Sequence, residues 1–112
     1  MESQQALTGL AALAQETRLA IFRRLVRAGP AGESAGAIAE ALHTPSPTLS
    51  FHLKELERAG LITQRRESRS LIYAAHYDGM RALLAFLMED CCAGRPEICN
   101  FKPLESCCGG PC

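Results

Sequence analysis

The stretch SPTLSFHLKELERAGL, residues 46–61, decides the fold of this chain. Ser46 is a good helix N-cap, and Pro47 suits the first helical position because its missing N–H would have no partner there. The apolar residues follow at helical spacing and form one stripe: Leu49, Leu53 and Leu56. Gly60 suits the left-handed position that ends a helix, and Leu61 can then pack back on the last turn. The stretch predicts a capped helix with one buried face.

The residues around this helix predict a winged helix-turn-helix. Ser34 is a suitable N-cap for a short preceding helix, and a tight link at 43–45 joins that helix to the capped one. After the capped helix, two β-prone runs at 61–66 and 71–75 flank a polar tip at 67–70 and predict a hairpin. A short helix, a tight turn and a second helix form a helix-turn-helix, and the adjacent hairpin makes it winged.

Helical periodicity predicts further helices on both sides of this motif. The first has an apolar stripe: Leu7, Leu10, Ala11 and Ala14. A second is expected from about Glu16 to Ala28, where Gly29 and Pro30 stop it. The last has a stronger stripe: Met80, Leu83, Leu84, Leu87 and Met88. The predicted fold class is mainly α (α+β), a winged helix-turn-helix with a two-stranded wing over residues 1–92, followed by a Cys-rich loop and tail at 93–112.

Composition narrows the classes of function. The 112 residues suit one domain, and the hydrophobic fraction of 47% is too high for a disordered chain. Aromatic residues make up 5%, which argues against a base-stacking sheet. No window reaches the roughly 18 apolar residues of a membrane span. We see no secretory signal, so we expect a cytoplasmic protein with reduced thiols that does not bind membranes. We also see no catalytic motif, so we do not expect an enzyme.

The charge distribution bears on DNA binding. Twelve basic and twelve acidic residues give zero net charge, which argues mildly against a nucleic-acid partner. Residues 43–76, however, carry five basic and three acidic side chains. An α-helix fits the major groove, and arginines on a wing can meet phosphates. The candidate DNA-contacting residues are Ser46, Thr48, Ser50, His52, Lys54, Arg65, Arg66 and Arg69. The alternatives are that Ser46 only caps the helix, that Ser50 is only a spacer, and that the hairpin is exposed to solvent and binds no ligand.

All six cysteines lie between residues 91 and 112, which indicates a site added to a finished fold. Cys91 and Cys92 follow the last helix, and Gly and Pro before Cys99 let the chain fold back, so three thiolates can converge. Three thiolates without His or carboxylate suit trivalent arsenic or antimony, whereas zinc prefers four tetrahedral ligands. A second set could bind another ion, scavenge ions or exchange with the first: Cys107, Cys108 and Cys112. Either Cys107 or Cys108 could also replace Cys99 as the third ligand of the first site.

Three stretches resemble the ArsR/SmtB family of metalloregulatory repressors. LAQETRL at 13–19 resembles the family's second-helix signature, and SFHLKELERAGLI at 50–62 is very similar to its recognition-helix signature. RRESR at 65–69, followed by LIY at 71–73, resembles its wing. The likeness covers roughly residues 7–90. It implies a homodimeric repressor, dimerised through its first and last helices, that needs no cofactor to bind double-stranded operator DNA. Two recognition helices on one face predict an inverted repeat with half-sites about one helical turn apart.

The cysteine pattern resembles the arsenic-responsive branch of that family. Residues 34–42 have no cysteine for the family's arsenic site on the first motif helix, and no His follows His76 for its zinc site. The resemblance therefore implies that Cys91, Cys92 and Cys99 bind As(III) or Sb(III) as the inducer. The alternatives are an inert cysteine pair, a repressor that senses cadmium, lead, zinc or thiol oxidation, a thiol-rich arsenic carrier, and a winged-helix protein-interaction module.

Overall fold

The computed structural model describes residues 2–88, which form five helices and three strands. The helices are α1 (Ser3–Leu13), α2 (Glu16–Ala28), α3 (Ala35–Leu42), α4 (Ser46–Arg58) and α5 (Tyr77–Leu87). The strands are β1 (Glu33–Ser34), β2 (Ile62–Glu67) and β3 (Ser70–Ala75). Within residues 2–88 there is no helix with the length and apolar character needed to cross a membrane. The predicted tail at 93–112 and all six cysteines lie outside the described residues.

The two helices before α4 begin and end where local chemistry predicts. The bounds of α2 match the predicted ones, and Gly29 closes it with a φ of 79° that favours glycine. Ser34 caps α3, since its Oγ accepts a hydrogen bond from the Ala37 amide at 3.1 Å. The link to α4 contains His43 in the left-handed conformation, with a φ of 52°. Predicted helices and caps in this part of the chain are therefore confirmed.

The end of α4 matches the predicted Schellman stop, but its start differs by one residue. The Leu61 amide donates to the Leu56 carbonyl at 3.1 Å, and the Gly60 amide donates to the Glu57 carbonyl at 3.0 Å. Leu56 and Leu61 are both buried. At the other end, the N-cap is Pro45 and Ser46 is already helical, so the prediction that Ser46 is the N-cap is wrong. Pro45 has no side-chain oxygen and makes no capping hydrogen bond.

The three strands form one antiparallel sheet in the order β1-β3-β2. The hairpin is confirmed, and its ladder extends to Glu67 opposite Ser70, which leaves a two-residue turn instead of the predicted four-residue tip. Sequence periodicity missed β1, because its pairing covers only Glu33 opposite Tyr73 and Ser34 opposite Ile72. The short third strand joins the α2–α3 connection to the wing.

The core surrounds α4 and fixes its orientation. Its largest fully buried side chains come from α2, α3, α4, the turn after α4 and the start of β2: Ile21, Leu25, Ile38, Leu49, Leu53, Leu56, Leu61 and Ile62. A Cβ at Gly79 would overlap the Gly60 carbonyl, so this glycine lets α5 begin directly against the turn after α4. The Tyr77 hydroxyl also donates to the Val26 carbonyl at 3.2 Å. One face of α4 is thereby held by packing, and the other is left to solvent.

Candidate nucleic-acid interface

The outward face of α4 is polar except at Pro47 in its first turn and at Phe51. Ser46, Thr48, Ser50 and Lys54 are all exposed, as the sequence predicts for a surface that meets DNA. Serine and threonine hydroxyls can hydrogen-bond to base edges or phosphates, and a lysine ammonium attracts phosphates. The structure therefore leaves four of the five predicted α4 residues accessible to a partner.

His52, the fifth predicted residue on α4, is turned into the protein. It is 9% exposed, and its Nδ1 accepts a hydrogen bond from Arg18 Nε on α2 at 3.1 Å. An imidazole that accepts at Nδ1 is neutral there. Burial lowers the pKa of His52, and the nearby Arg18 charge lowers it further. In this conformation His52 links α2 to α4 and does not project toward a groove.

Phe51 is the large apolar side chain on the outward face, and it was not among the predicted DNA-contacting residues. It lies two residues from both Leu49 and Leu53, which places it about 160° around the helix from either buried leucine. The ring is 54% exposed, and the Arg18 guanidinium carbon lies 5.6 Å from its centroid. Its angular distance from the leucine stripe was the available signal. Arg18 was also missed, because its contacts to α4 span more than thirty residues.

The arginines of the wing differ in how they are engaged. Arg65 donates from Nη1 and Nη2 to the carbonyls of Pro30 and Ala31, at 3.2 and 2.7 Å. Its Nε also contacts Glu67 Oε2 at 2.6 Å. These contacts hold β2 against the loop between α2 and β1. The guanidinium of Arg65 is thus occupied by the protein itself in this conformation.

Arg66 and Arg69 are exposed on the wing, and Arg69 lies in its turn beside Ser68, which has a φ of 56°. Among residues 2–88, neither arginine forms a salt bridge with an acidic side chain. Glu67 on the same hairpin is paired with Arg65. The positive charge available to a phosphate from this wing therefore comes from Arg66 and Arg69.

A second exposed surface lies on the outer helices. Ala6, Gly9 and Ala12 are the buried residues of α1, whereas Leu7 and Leu10 on its other side are 59% and 40% exposed. Leu87 at the end of α5 is 51% exposed. The predicted stripe of α1 is therefore not the face that this chain buries. Helix α1 has two apolar faces, and only one of them is covered within residues 2–88.

The sequence of the chain is similar to those of known helix-turn-helix proteins. Residues 13–65 match the family model of a helix-turn-helix domain. A Bacillus subtilis (strain 168) protein described as the uncharacterized HTH-type transcriptional regulator YceK is 35% identical over 78 residues, covering 70% of this chain and 77% of its own. The HTH-type transcriptional repressor SmtB of Mycobacterium tuberculosis (strain H37Rv) is 38% identical over 64 residues, covering 57% of this chain and 45% of its own.

A solved structure shares the whole winged architecture. It is the homodimeric winged helix-turn-helix DNA-binding domain Mb0332 of Mycobacterium bovis, described as "a possible ArsR-family transcriptional regulator". The TM-score is 0.63 and the identity 29%, over 78% of this chain and 81% of the other. The chain belongs to the ArsR/SmtB family of transcriptional regulators.

In this ArsR/SmtB regulator, α4 is the recognition helix and the β2–β3 hairpin is the wing. The predicted ion ligands lie outside the described residues: Cys91, Cys92, Cys99 and the second set Cys107, Cys108 and Cys112. Within residues 2–88, no group of three or more His, Cys, Asp or Glu side chains is arranged to hold a metal ion. The assignment of the cysteines stays a prediction from the sequence.

Proposed function

We propose that this regulator is a dimeric, cytoplasmic repressor whose ion-free form occupies an inverted-repeat operator and leaves it when As(III) or Sb(III) binds Cys91, Cys92 and Cys99. The outward face of the recognition helix is the observation that carries the DNA-binding part. A buried stripe and a tight turn fix that helix, so its exposed face is presented without a rearrangement of the core. Preorganised surfaces bind with less loss of conformational entropy.

The exposed leucines of α1 and α5 support a homodimer. Leu7, Leu10 and Leu87 are large apolar side chains on two helices that pack on each other, and a second copy of the chain would cover them. The homodimer described for the Mycobacterium bovis domain supports the same assembly here. Two copies related by a two-fold axis would present two recognition helices to two symmetric half-sites.

The cysteine positions support an ion sensor attached to that interface. Helix α5 ends at Leu87, and Cys91 and Cys92 follow four and five residues later. Thiolates bind thiophilic ions, and three of them without other ligand types suit a trivalent metalloid. Drawing the cysteines together would pull on the end of α5 and change the angle between the two recognition helices. A coupling of roughly 1–3 kcal/mol would weaken operator binding about 5- to 150-fold.

A gel-shift experiment tests this function and separates it from the alternatives. The full chain is incubated with the DNA upstream of its own coding sequence, alone and with arsenite, cadmium or zinc. We expect a shifted band that arsenite removes at the lowest concentration. Release by cadmium or zinc alone would favour a divalent-metal sensor. Binding of arsenite without any shifted band at low salt would favour a thiol-rich carrier.

Proton release identifies the ion class independently. Arsenous acid exchanges hydroxyl groups for thiols and releases water without net protons, whereas a divalent metal displaces thiol protons. Titration calorimetry in two buffers of different ionisation enthalpy measures this difference. A proton count matching the number of bound thiols would contradict the assignment to arsenic.

A further inference from the structure

Phe51 is a large apolar ring on a surface whose other exposed side chains are polar, apart from Pro47 in the first turn of the helix. It projects from the middle of the outward face of the recognition helix, one turn after Pro47 and nearly one turn before Lys54. Single exposed apolar residues are common on protein surfaces, so exposure alone carries no function. Phe51 differs from such residues in its position on the recognition helix and in the contacts that restrain its ring.

The ring of Phe51 is held on its protein side by two neighbours. The His52 ring meets it edge-on, with centroids 5.5 Å apart and an interplanar angle of 62°. The Arg18 guanidinium lies over it at 5.6 Å, and Arg18 Nε donates to His52 at 3.1 Å. A cation over an aromatic face is attracted by the ring quadrupole. Arg18 on α2 therefore restrains the ring, while about half of its surface remains exposed to solvent.

The chemistry of the major groove limits what such a ring could contact. Guanine, cytosine and adenine present hydrogen-bond donors and acceptors along this groove, and the C5-methyl of thymine is its apolar group. A phenyl ring has no donor or acceptor to satisfy a polar base edge. Contact of the ring with a thymine methyl group removes apolar surface from water, which is favourable. Contact with a polar base edge would instead leave that edge without a hydrogen-bond partner, which costs free energy.

We propose that Phe51 is a specificity-determining residue that contacts the C5-methyl group of a thymine in each operator half-site, with Arg18 as the positioning residue that holds its ring. This inference rests on the proposed DNA binding through the recognition helix. It adds a base preference at one position of each half-site, which the serine and threonine hydroxyls around the ring do not provide, since they bond to several bases.

Replacing thymine by deoxyuridine tests the contact directly, because it removes the methyl group and keeps the base pair. A duplex that the full chain binds is first selected from a random pool, and its thymines are then replaced one symmetric pair at a time. We expect one pair whose replacement lowers affinity about fourfold per half-site, or roughly fifteenfold for both, the value of one buried methyl group per site. The same replacement should change the affinity of Phe51→Ala less than twofold.

Three further single variants and one double variant complete the test. Phe51→Leu keeps an apolar group and should retain part of the deoxyuridine penalty, while Leu71→Ala removes an exposed apolar residue of the wing and should retain all of it. Arg18→Gln should reduce the penalty, and adding it to Phe51→Ala should have no further effect on that penalty. Thermal melting confirms that each variant is folded.

The outcomes distinguish the thymine contact from the proposed DNA binding on which it rests. If the chain selects no duplex at low salt, the proposed DNA binding fails. If it selects a duplex but no thymine pair is sensitive to deoxyuridine, or if Phe51→Ala keeps the full penalty, the thymine contact is overturned and the proposed DNA binding stands.

Discussion

Arg18 and His52 form a contact between α2 and the recognition helix that depends on protonation. The Nδ1 atom of His52 accepts the Arg18 hydrogen bond only while the imidazole is neutral. Burial first and the Arg18 charge second lower the pKa of His52, so the folded protein holds this proton less well than the unfolded chain. Above about pH 6.5 the imidazole is neutral in both states. Below that value the unfolded chain is protonated first, and the free energy of unfolding decreases.

We predict that His52→Gln weakens this acid sensitivity. Gln can still accept the Arg18 hydrogen bond through Oε1 but does not titrate. Urea unfolding at about pH 7.5 and about pH 5.5 measures the loss of stability on acidification, which should be smaller in the variant than in the wild type. His43→Asn is the matched control, since His43 is exposed and Asn tolerates its left-handed backbone. Equal acid sensitivity in His52→Gln and the wild type would show that this histidine does not contribute.

At the scale of elements, the wing is fixed to the body by a side chain and a short strand. Arg65 reaches the carbonyls of Pro30 and Ala31, and β1 pairs with β3. Arg24 and Glu33 strengthen the same junction through two hydrogen bonds, at 2.6 and 3.0 Å. The wing position therefore depends on contacts to the α2–α3 connection, while the charge it offers to DNA resides in Arg66 and Arg69.

The different contacts of Arg65 and Arg69 predict two different effects on DNA binding. Arg69→Ala removes one phosphate contact per protomer, so the slope of log affinity against log salt should decrease by about two in a dimer. Arg65→Lys keeps the charge but loses the planar fork that bonds two carbonyls, so affinity should fall with little change in slope. Fluorescence anisotropy across a salt series measures both. A reduced slope in Arg65→Lys and an unchanged slope in Arg69→Ala would reverse the assignments.

The stop after the recognition helix depends on Gly60. Its φ of 80° is strained for residues with a Cβ, and nothing lies within 4 Å of a methyl group placed there. Gly60→Ala should therefore destabilise the protein by about 1 kcal/mol through backbone strain alone. Gly36→Ala, a glycine inside α3 with equal space and no left-handed φ, should be neutral or stabilising by about 0.5–1 kcal/mol. Urea unfolding measures both values, and equal effects would refute the strain argument.

Much of this architecture follows from interactions within a few residues. The Ser34 cap and the Schellman stop at Gly60 each involve residues no more than five apart, so sequence pattern specifies them. Strand β1, the Arg65 contacts and the inward turn of His52 could not be predicted, because their partners lie 34 or more residues away. The start of α4 was misplaced by one residue because a proline without an N–H is tolerated at either the first or the second helical position, so Pro47 does not fix where the helix begins.

At the scale of the whole molecule, the arrangement of α1 leaves an apolar surface that one chain does not cover. The periodicity of Leu7 and Leu10 predicts the helix correctly, but the chain's own core uses Ala6, Gly9 and Ala12 instead. Sequence pattern identifies apolar faces without specifying which of them meets the same chain. A second copy is the occupant that we propose for the exposed face.

We predict that Leu10→Glu shifts the protein toward monomers. A carboxylate at the proposed interface would be buried without an opposite charge, and the cost of removing it from water would oppose association. Sedimentation equilibrium should show at least a tenfold weaker dimer, about 1.4 kcal/mol. Leu71→Glu places the same charge on the wing, where Leu71 is similarly exposed, and should leave the dimer intact. A dimer of unchanged strength in Leu10→Glu would exclude α1 from the interface.

In the function that we propose, ion capture by the C-terminal cysteines releases the protein from DNA. The most direct measurement is an anisotropy titration of a preformed complex between the full chain and its labelled operator, with arsenite added at equilibrium. We predict an affinity about 5- to 150-fold weaker at saturating arsenite, and no change in Cys91→Ser. An operator affinity that arsenite leaves unchanged in the reduced wild-type protein would show that ion capture does not control DNA binding.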